Sequence, residues 1–285
     1  MSRTSELPKH LFDTAMEFPR AAAAFFSLAA NNLTTREKSI GKERPVLVLP
    51  GIGTGDITTI PLRHSIKARG FSAYGWGDGG ISRGLTDKEI KTRLCNRLDG
   101  ITQKHGEKVS VVGWSLGGLL GNVASQLYPY MVSRTISLGS PHIVGMRPDD
   151  GVIPGLHRVY NWLNGESPSP EYFAMLVQQS PVPTTSVFSL SDGVVNGHAC
   201  IRPGNHFTQN IEILGASHCG LGLHPLAFKI VANRLSHAEE AWKPYKAEPG
   251  LRLHKDVPVP SRDEVGQALR SYLERNFSPT PLAAA

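Results

Sequence analysis

A chain of 285 residues with 40% hydrophobic and 19% charged residues has the material for one large α/β domain or two small ones, and its composition argues against disorder over most of its length. Its formal charge is +6, but Lys and Arg are spread along the chain without an aromatic-rich basic stretch, which argues against a nucleic-acid partner. Three cysteines (Cys95, Cys200 and Cys219) are too few for a disulfide framework, and no apolar run approaches the ~20 residues that span a bilayer.

The first segment reads as a helix. Leu11, Ala15, Phe18, Ala22, Phe25, Ala29 and Leu33 recur at helical spacing, with Pro19 kinking or restarting the helix. The stripe fits packing on the domain, and it also fits a membrane-surface anchor. Glu6, Asp13 and Glu17 stand where a signal peptide would carry basic residues. The expectation is a cytoplasmic chain with free thiols, open to peripheral membrane contact through its terminal helices.

Short apolar runs then alternate with helical patterns. Strands are expected at Val46–Pro50, Phe71–Trp76, Val109–Trp114, Thr135–Leu138, Thr185–Leu190 and Ile211–Leu214. Helices are expected at Thr59–Arg69, Thr86–His105, Leu116–Leu127 and Pro225–Leu235. This rhythm predicts a mostly parallel central sheet with helices on both faces. The long connection between the fourth and fifth strands holds a helical stripe at Val152, Leu156, Val159 or Tyr160, and Leu163, then a helix at Glu171–Gln179. A connection of that length predicts a helical cap inserted at about residues 141–183. The organisation is an N-terminal helix and linker over 1–44, an α/β domain over 45–245 and an extension over 246–285. The extension carries a helix signalled by Ser261, Glu264, Val265, Leu269, Tyr272 and Leu273, then an unstructured end at Ser278–Ala285.

The chemistry centres on Gly113-Trp114-Ser115-Leu116-Gly117-Gly118. A strand running directly into Ser115, with a helix following, predicts a sharp turn that exposes the serine Oγ above the sheet. A serine needs a base at neutral pH. His218 is the candidate, because it follows the last strand and so shares a sheet edge with Ser115. His224 and His198 are its rivals. The base needs a carboxylate partner, and Asp192 follows the fifth strand. Asp149 and Asp150 are weaker alternatives, and a plain Asp-Gly turn is the simpler reading of Asp192. The oxyanion donors are expected to be the N–H of Leu116 and the N–H of Ile52, with Gly53 second. The Gly51-Ile52-Gly53-Thr54-Gly55 loop lacks the following Gly-Lys-Ser/Thr of a phosphate cradle.

With these pieces in order, the chain resembles bacterial α/β-hydrolases of the esterase and lipase type. The similar stretches run from Pro45-Val46-Leu47-Val48-Leu49-Pro50-Gly51 through Tyr74-Gly75-Trp76-Gly77, the Ser115 motif, Leu138-Gly139-Ser140-Pro141 and Ser191-Asp192-Gly193-Val194-Val195. They end at Gly215-Ala216-Ser217-His218-Cys219-Gly220-Leu221-Gly222. The resemblance implies the α/β-hydrolase fold and ester hydrolysis by Ser115, Asp192 and His218, without cofactor or metal. This chain carries Pro50-Gly51 where lipases often carry His-Gly. The apolar cap residues Ile153, Leu156, Tyr160, Trp162, Phe173, Met175 and Leu176 suggest a small-molecule or lipid ester with an apolar acyl group. Acyl transfer or thioester hydrolysis by the same residues, and a non-catalytic binding protein of the same fold, remain the alternatives.

Overall fold

The computed structural model describes residues 16–17, 19–23, 40–77, 80, 86–142, 175, 178–203, 207–238, 241–254 and 267. The strands are β1 (Pro45–Leu49), β2 (Ser72–Tyr74), β3 (Val109–Trp114), β4 (Val132–Leu138), β5 (Thr184–Phe188), β6 (Thr208–Ile213) and β7 (Leu251–His254). They form one sheet in the order β2-β1-β3-β4-β5-β6-β7. Every neighbouring pair is parallel except β6 and β7, which run antiparallel. The helices are α1 (Ile60–Ala68), α2 (Asp87–His105), α3 (Leu116–Leu127), α4 (His218–Leu221) and α5 (Pro225–Ser236).

The apolar run of β1 is explained by burial on both faces. Val46 and Val48 pack into a core with Leu62 and Ile66 of α1 and Phe228 and Ile230 of α5. Leu47 and Leu49 point the other way, into a second core with Leu94 and Leu98 of α2 and Leu120 and Val123 of α3. A central strand sandwiched between helices has no solvent face, so it carries no polar alternation. The crossover from β1 out to β2 and back to β3 creates a switch point between β1 and β3. Loops leaving their carboxyl ends diverge there and leave a crevice. The segment after β1 and the turn after β3 both open into it.

Several elements differ from their expected bounds. The second strand stops at Tyr74 because the Asp56 carboxylate accepts the backbone N–H groups of Trp76 (2.7 Å) and Gly77 (3.0 Å), which a longer strand would give to the sheet. The fourth strand starts earlier, at Val132, and includes buried Arg134, whose guanidinium donates to the Arg234 carbonyl. The sixth begins at Thr208 despite Gln209, Asn210 and Glu212. Asn210 exchanges two hydrogen bonds of 2.8 Å with the Arg202 backbone, and Gln209 exchanges two with the Tyr245 backbone. Buried polar strand residues are tolerated when paired in this way. β7 is a seventh strand beyond the six expected, and α4 is a short helix the periodicity did not signal. The predicted cap helices, most of the N-terminal stripe and the C-terminal helix lie outside the described residues. Asn122 of α3 donates to the carbonyls of Met175 (3.0 Å) and Gln178 (2.7 Å).

Candidate active site

Ser115 sits between β3 and α3 with φ 54° and ψ −121°. An L-residue on the positive side of φ is strained, at a cost of about 1–3 kcal/mol, and persists only where its surroundings enforce it. Those surroundings are visible. The Ser115 N–H donates to the Leu138 carbonyl at 2.8 Å, and its own carbonyl accepts from Ser140 Oγ at 2.7 Å. The flanking glycines are required by close approach. A Cβ at Gly113 would lie 2.2 Å from the Gly117 backbone, and one at Gly117 would lie 2.3 Å from the Leu49 carbonyl oxygen. The turn, the start of α3 and the end of β1 are thus pressed together with no space for a side chain.

That compression brings the loop after β1 against Ser115. A Cβ at Gly51 would lie 3.5 Å from the Ser115 Cβ. Ile52 occupies the turn that follows, partly buried against the α2–α3 core, and Leu116 is the first residue of α3. Leu116 therefore follows the serine directly, and Ile52 follows the glycine that approaches it.

Asp192 and His218 come from the loops after β5 and β6. His218 Nδ1 and Asp192 Oδ2 are 2.7 Å apart, and both side chains are buried. The other Asp192 oxygen accepts from the N–H groups of Val194 (2.8 Å) and Val195 (2.7 Å). A carboxylate is an acceptor, so Nδ1 carries the proton and Nε2 presents a lone pair. The His218 carbonyl accepts the Trp114 indole N–H at 3.1 Å. The imidazole lies against Gly139, whose Cβ would sit 3.1 Å from Nδ1. Ser115 is bonded to Leu138 and His218 abuts Gly139, so the same strand end holds both. No hydrogen bond joins Ser115 Oγ to His218 among the described residues.

Burial alone would push the His218 pKa down. The Asp192 charge and hydrogen bond, with the charge of Glu17, outweigh it and raise the pKa above its usual 6.5. Burial and the Glu17 charge push the Cys219 thiol up to about 11, and burial holds the Cys200 thiol well above its usual range. All three cysteines are free.

The rivals are not brought to this cluster. His224 caps α5, its Nδ1 accepting from Leu226 N–H, and His198 is exposed in a 3-10 turn. Asp149 and Asp150 lie outside the described residues. One residue was missed in the sequence. The Glu17 carboxylate, 4% exposed, accepts from the backbone N–H groups of Gly193 (2.7 Å), His218 (2.8 Å) and Cys219 (3.0 Å). Its signal was present: Glu17 is the single acidic residue in the apolar stretch between Asp13 and Glu37. Among the described residues, no group of three or more His, Cys, Asp or Glu could hold a metal ion, and no helix is long and apolar enough to cross a membrane.

No family model matches the chain. In sequence it is 24% identical over 143 residues to serine hydrolase BPHL of Mus musculus, covering 47% of this chain and 49% of that protein. It is 26% identical over 160 residues to serine hydrolase BPHL of Homo sapiens, covering 50% and 55%. The chain thus spans about half the length of the curated relatives it matches. In structure it is similar to Aspergillus fumigatus lipase B, with a TM-score of 0.55 and 18% identity over 71% of this chain and 55% of that one. It is also similar to a structure of the metagenome-derived lipolytic enzymes LipS and LipT, with a TM-score of 0.50 and 15% identity over 70% and 94%. The chain has the α/β-hydrolase fold. Within that fold, the curated proteins it is similar to are serine hydrolases.

Proposed function

We propose that this protein is a serine hydrolase that cleaves carboxylic esters with an apolar acyl group through an acyl-enzyme on Ser115. The observation that carries this reading is the convergence of a strained Ser115 with a buried Asp192–His218 pair at 2.7 Å, on one strand end. Ser115 Oγ attacks the ester carbonyl while His218 Nε2 takes its proton. The N–H groups of Leu116 and Ile52 stabilise the oxyanion. Collapse expels the alcohol, which receives the proton from His218. A water activated by the same nitrogen then releases the acid. Asp192 fixes the tautomer and stabilises the imidazolium. The substrate is a small-molecule or lipid ester, and the apolar cap residues support the acyl preference. The cytoplasm is the proposed location, supported by the free thiols.

The test is turnover of p-nitrophenyl esters from acetate to palmitate by the protein and its Ser115→Ala variant. Activity that depends on chain length and falls on the order of 10⁴- to 10⁶-fold in the variant is expected. Equal rates for the two proteins on every ester would refute simple esterase chemistry.

A further inference from the structure

The Asp192 and His218 loops leave different strands, and most of what ties them together comes from far away in sequence. Glu17 accepts one N–H from the acid loop, at Gly193, and two from the base loop, at His218 and Cys219. The last two belong to the first turn of α4, where backbone N–H groups have no partner within the helix. Ser217 Oγ takes the Gly220 N–H of the same turn at 2.9 Å. Glu17 therefore completes the cap of α4 and couples that cap to the residue beside Asp192. A second tie runs parallel, from Arg20 Nη1 to the Ser191 carbonyl at 2.8 Å. Gly220 meets the same segment closely; a Cβ there would lie 3.6 Å from the Ala21 Cα.

We propose that Glu17 is a positioning residue for the Ser115 site, its buried carboxylate holding the acid loop and the base loop in register so that Asp192 and His218 stay paired. The proposal rests on the catalytic reading of Ser115, Asp192 and His218. Hydrogen bonds to a charged acceptor are roughly twice as strong as neutral ones, so three on one carboxylate make a stiff junction. The charge also acts on the imidazole. Among the described residues, the ionisable and charged groups facing His218 are Asp192 and Glu17, with the Cys219 thiol next in the chain, Cys200 beside Asp192, and Arg20 on the acid-loop side. Both carboxylates favour the imidazolium that forms when Ser115 gives up its proton.

The signs of the two effects differ, which separates positioning from simple structural support. Removing the Glu17 charge lowers the His218 pKa, so the neutral base survives to lower pH. The same change weakens the imidazolium in the transition state and loosens its alignment, so the plateau rate falls. The Glu17→Gln variant keeps the size and an acceptor oxygen. It is expected to hold KM on a p-nitrophenyl ester within about twofold and to lose about 10- to 100-fold in kcat. The acid limb of kcat/KM should move to lower pH, because one of the charges that raise the His218 pKa is gone. Glu17→Asp, which keeps the charge on a shorter arm, should leave the limb nearer its original position; it also carries the test if Glu17→Gln does not fold. In proton NMR, the low-field His218 Nδ1–H resonance should move or broaden in Glu17→Gln. Wild-type kcat, an unmoved acid limb and an unchanged resonance in a folded Glu17→Gln protein would overturn the proposal. If the wild-type protein neither hydrolyses esters nor reacts with a fluorophosphonate at Ser115, the hydrolase reading has failed. The resonance then decides the Glu17 junction: a shift supports it, and an unchanged signal overturns it.

Discussion

Replacing Gly117 with alanine sets two known effects against each other. Alanine is favoured over glycine by roughly 0.8–1.0 kcal/mol in a helix interior, and Gly117 is the second residue of α3, so propensity alone predicts at most that much stabilisation. The new Cβ, however, would lie 2.3 Å from the Leu49 carbonyl oxygen and 2.6 Å from that of Pro50. A carbon–oxygen contact relaxes to about 3.3 Å, so α3 and the end of β1 must separate by about 1 Å. Both contacts are backbone in closely packed elements, so no side-chain rotation relieves them. Overpacking of this kind costs about 1–3 kcal/mol, which offsets the helix gain and leaves a net loss of up to roughly 2 kcal/mol. A domain this size then melts up to about 8 °C lower. Function should suffer more than stability. The displaced elements carry the backbone of Leu116 and Ile52, and a misplacement of about 1 Å can cost 10²-fold in rate. The assay pairs thermal melting with the second-order rate of fluorophosphonate labelling at Ser115. Gly100→Ala in α2 is the control, because a Cβ there meets nothing within 4 Å; it should gain the propensity term and label normally. A Gly117→Ala protein as stable as the wild type and labelled at the same rate would refute the close-approach account of the motif.

Asp192→Asn should fold, because its oxygen can still accept from Val194 and Val195. It should label about 10⁴-fold more slowly, because an amide N–H no longer fixes the His218 tautomer; labelling within tenfold of wild type would show that Asp192 has another role. The pH profile follows from the raised His218 pKa. Protonated imidazole cannot accept the serine proton, so kcat/KM should fall as pH drops through a midpoint above 6.5. A midpoint below 6.5 would mean that burial outweighs Asp192 and Glu17.

The Ser115 motif was legible because three chain segments cross there without room for a Cβ, which forces glycine into the sequence at Gly113 and Gly117. The buried strands β1 and β3 were legible for a related reason: burial on both faces leaves an unbroken apolar run. Legibility failed where polar groups are paired at a distance. Asn210 and Gln209 are satisfied by Arg202 and Tyr245, so β6 looked too polar at its start. β2 ended early for Asp56, a residue in a different element. Glu17 counted as a charge against a signal peptide, while its bonding partners lie at positions 193, 218 and 219. Local patterning records whether a residue is buried, but not which distant N–H makes the burial tolerable.

The two outer strands bear on how the molecule behaves in a crowded solution. An edge strand offers unpaired backbone groups to any other chain, and long, flat, apolar edges nucleate aggregates. Here β2 has three residues and β7, as described, has four. β7 carries exposed Arg252 and the His254 ring, both directed to Glu212 on its neighbour. Copies of the chain that meet edge to edge therefore find few backbone bonds to form and positive charge on the β7 side. Short outer strands, with charge on β7, are the features by which the described sheet discourages edge-to-edge pairing.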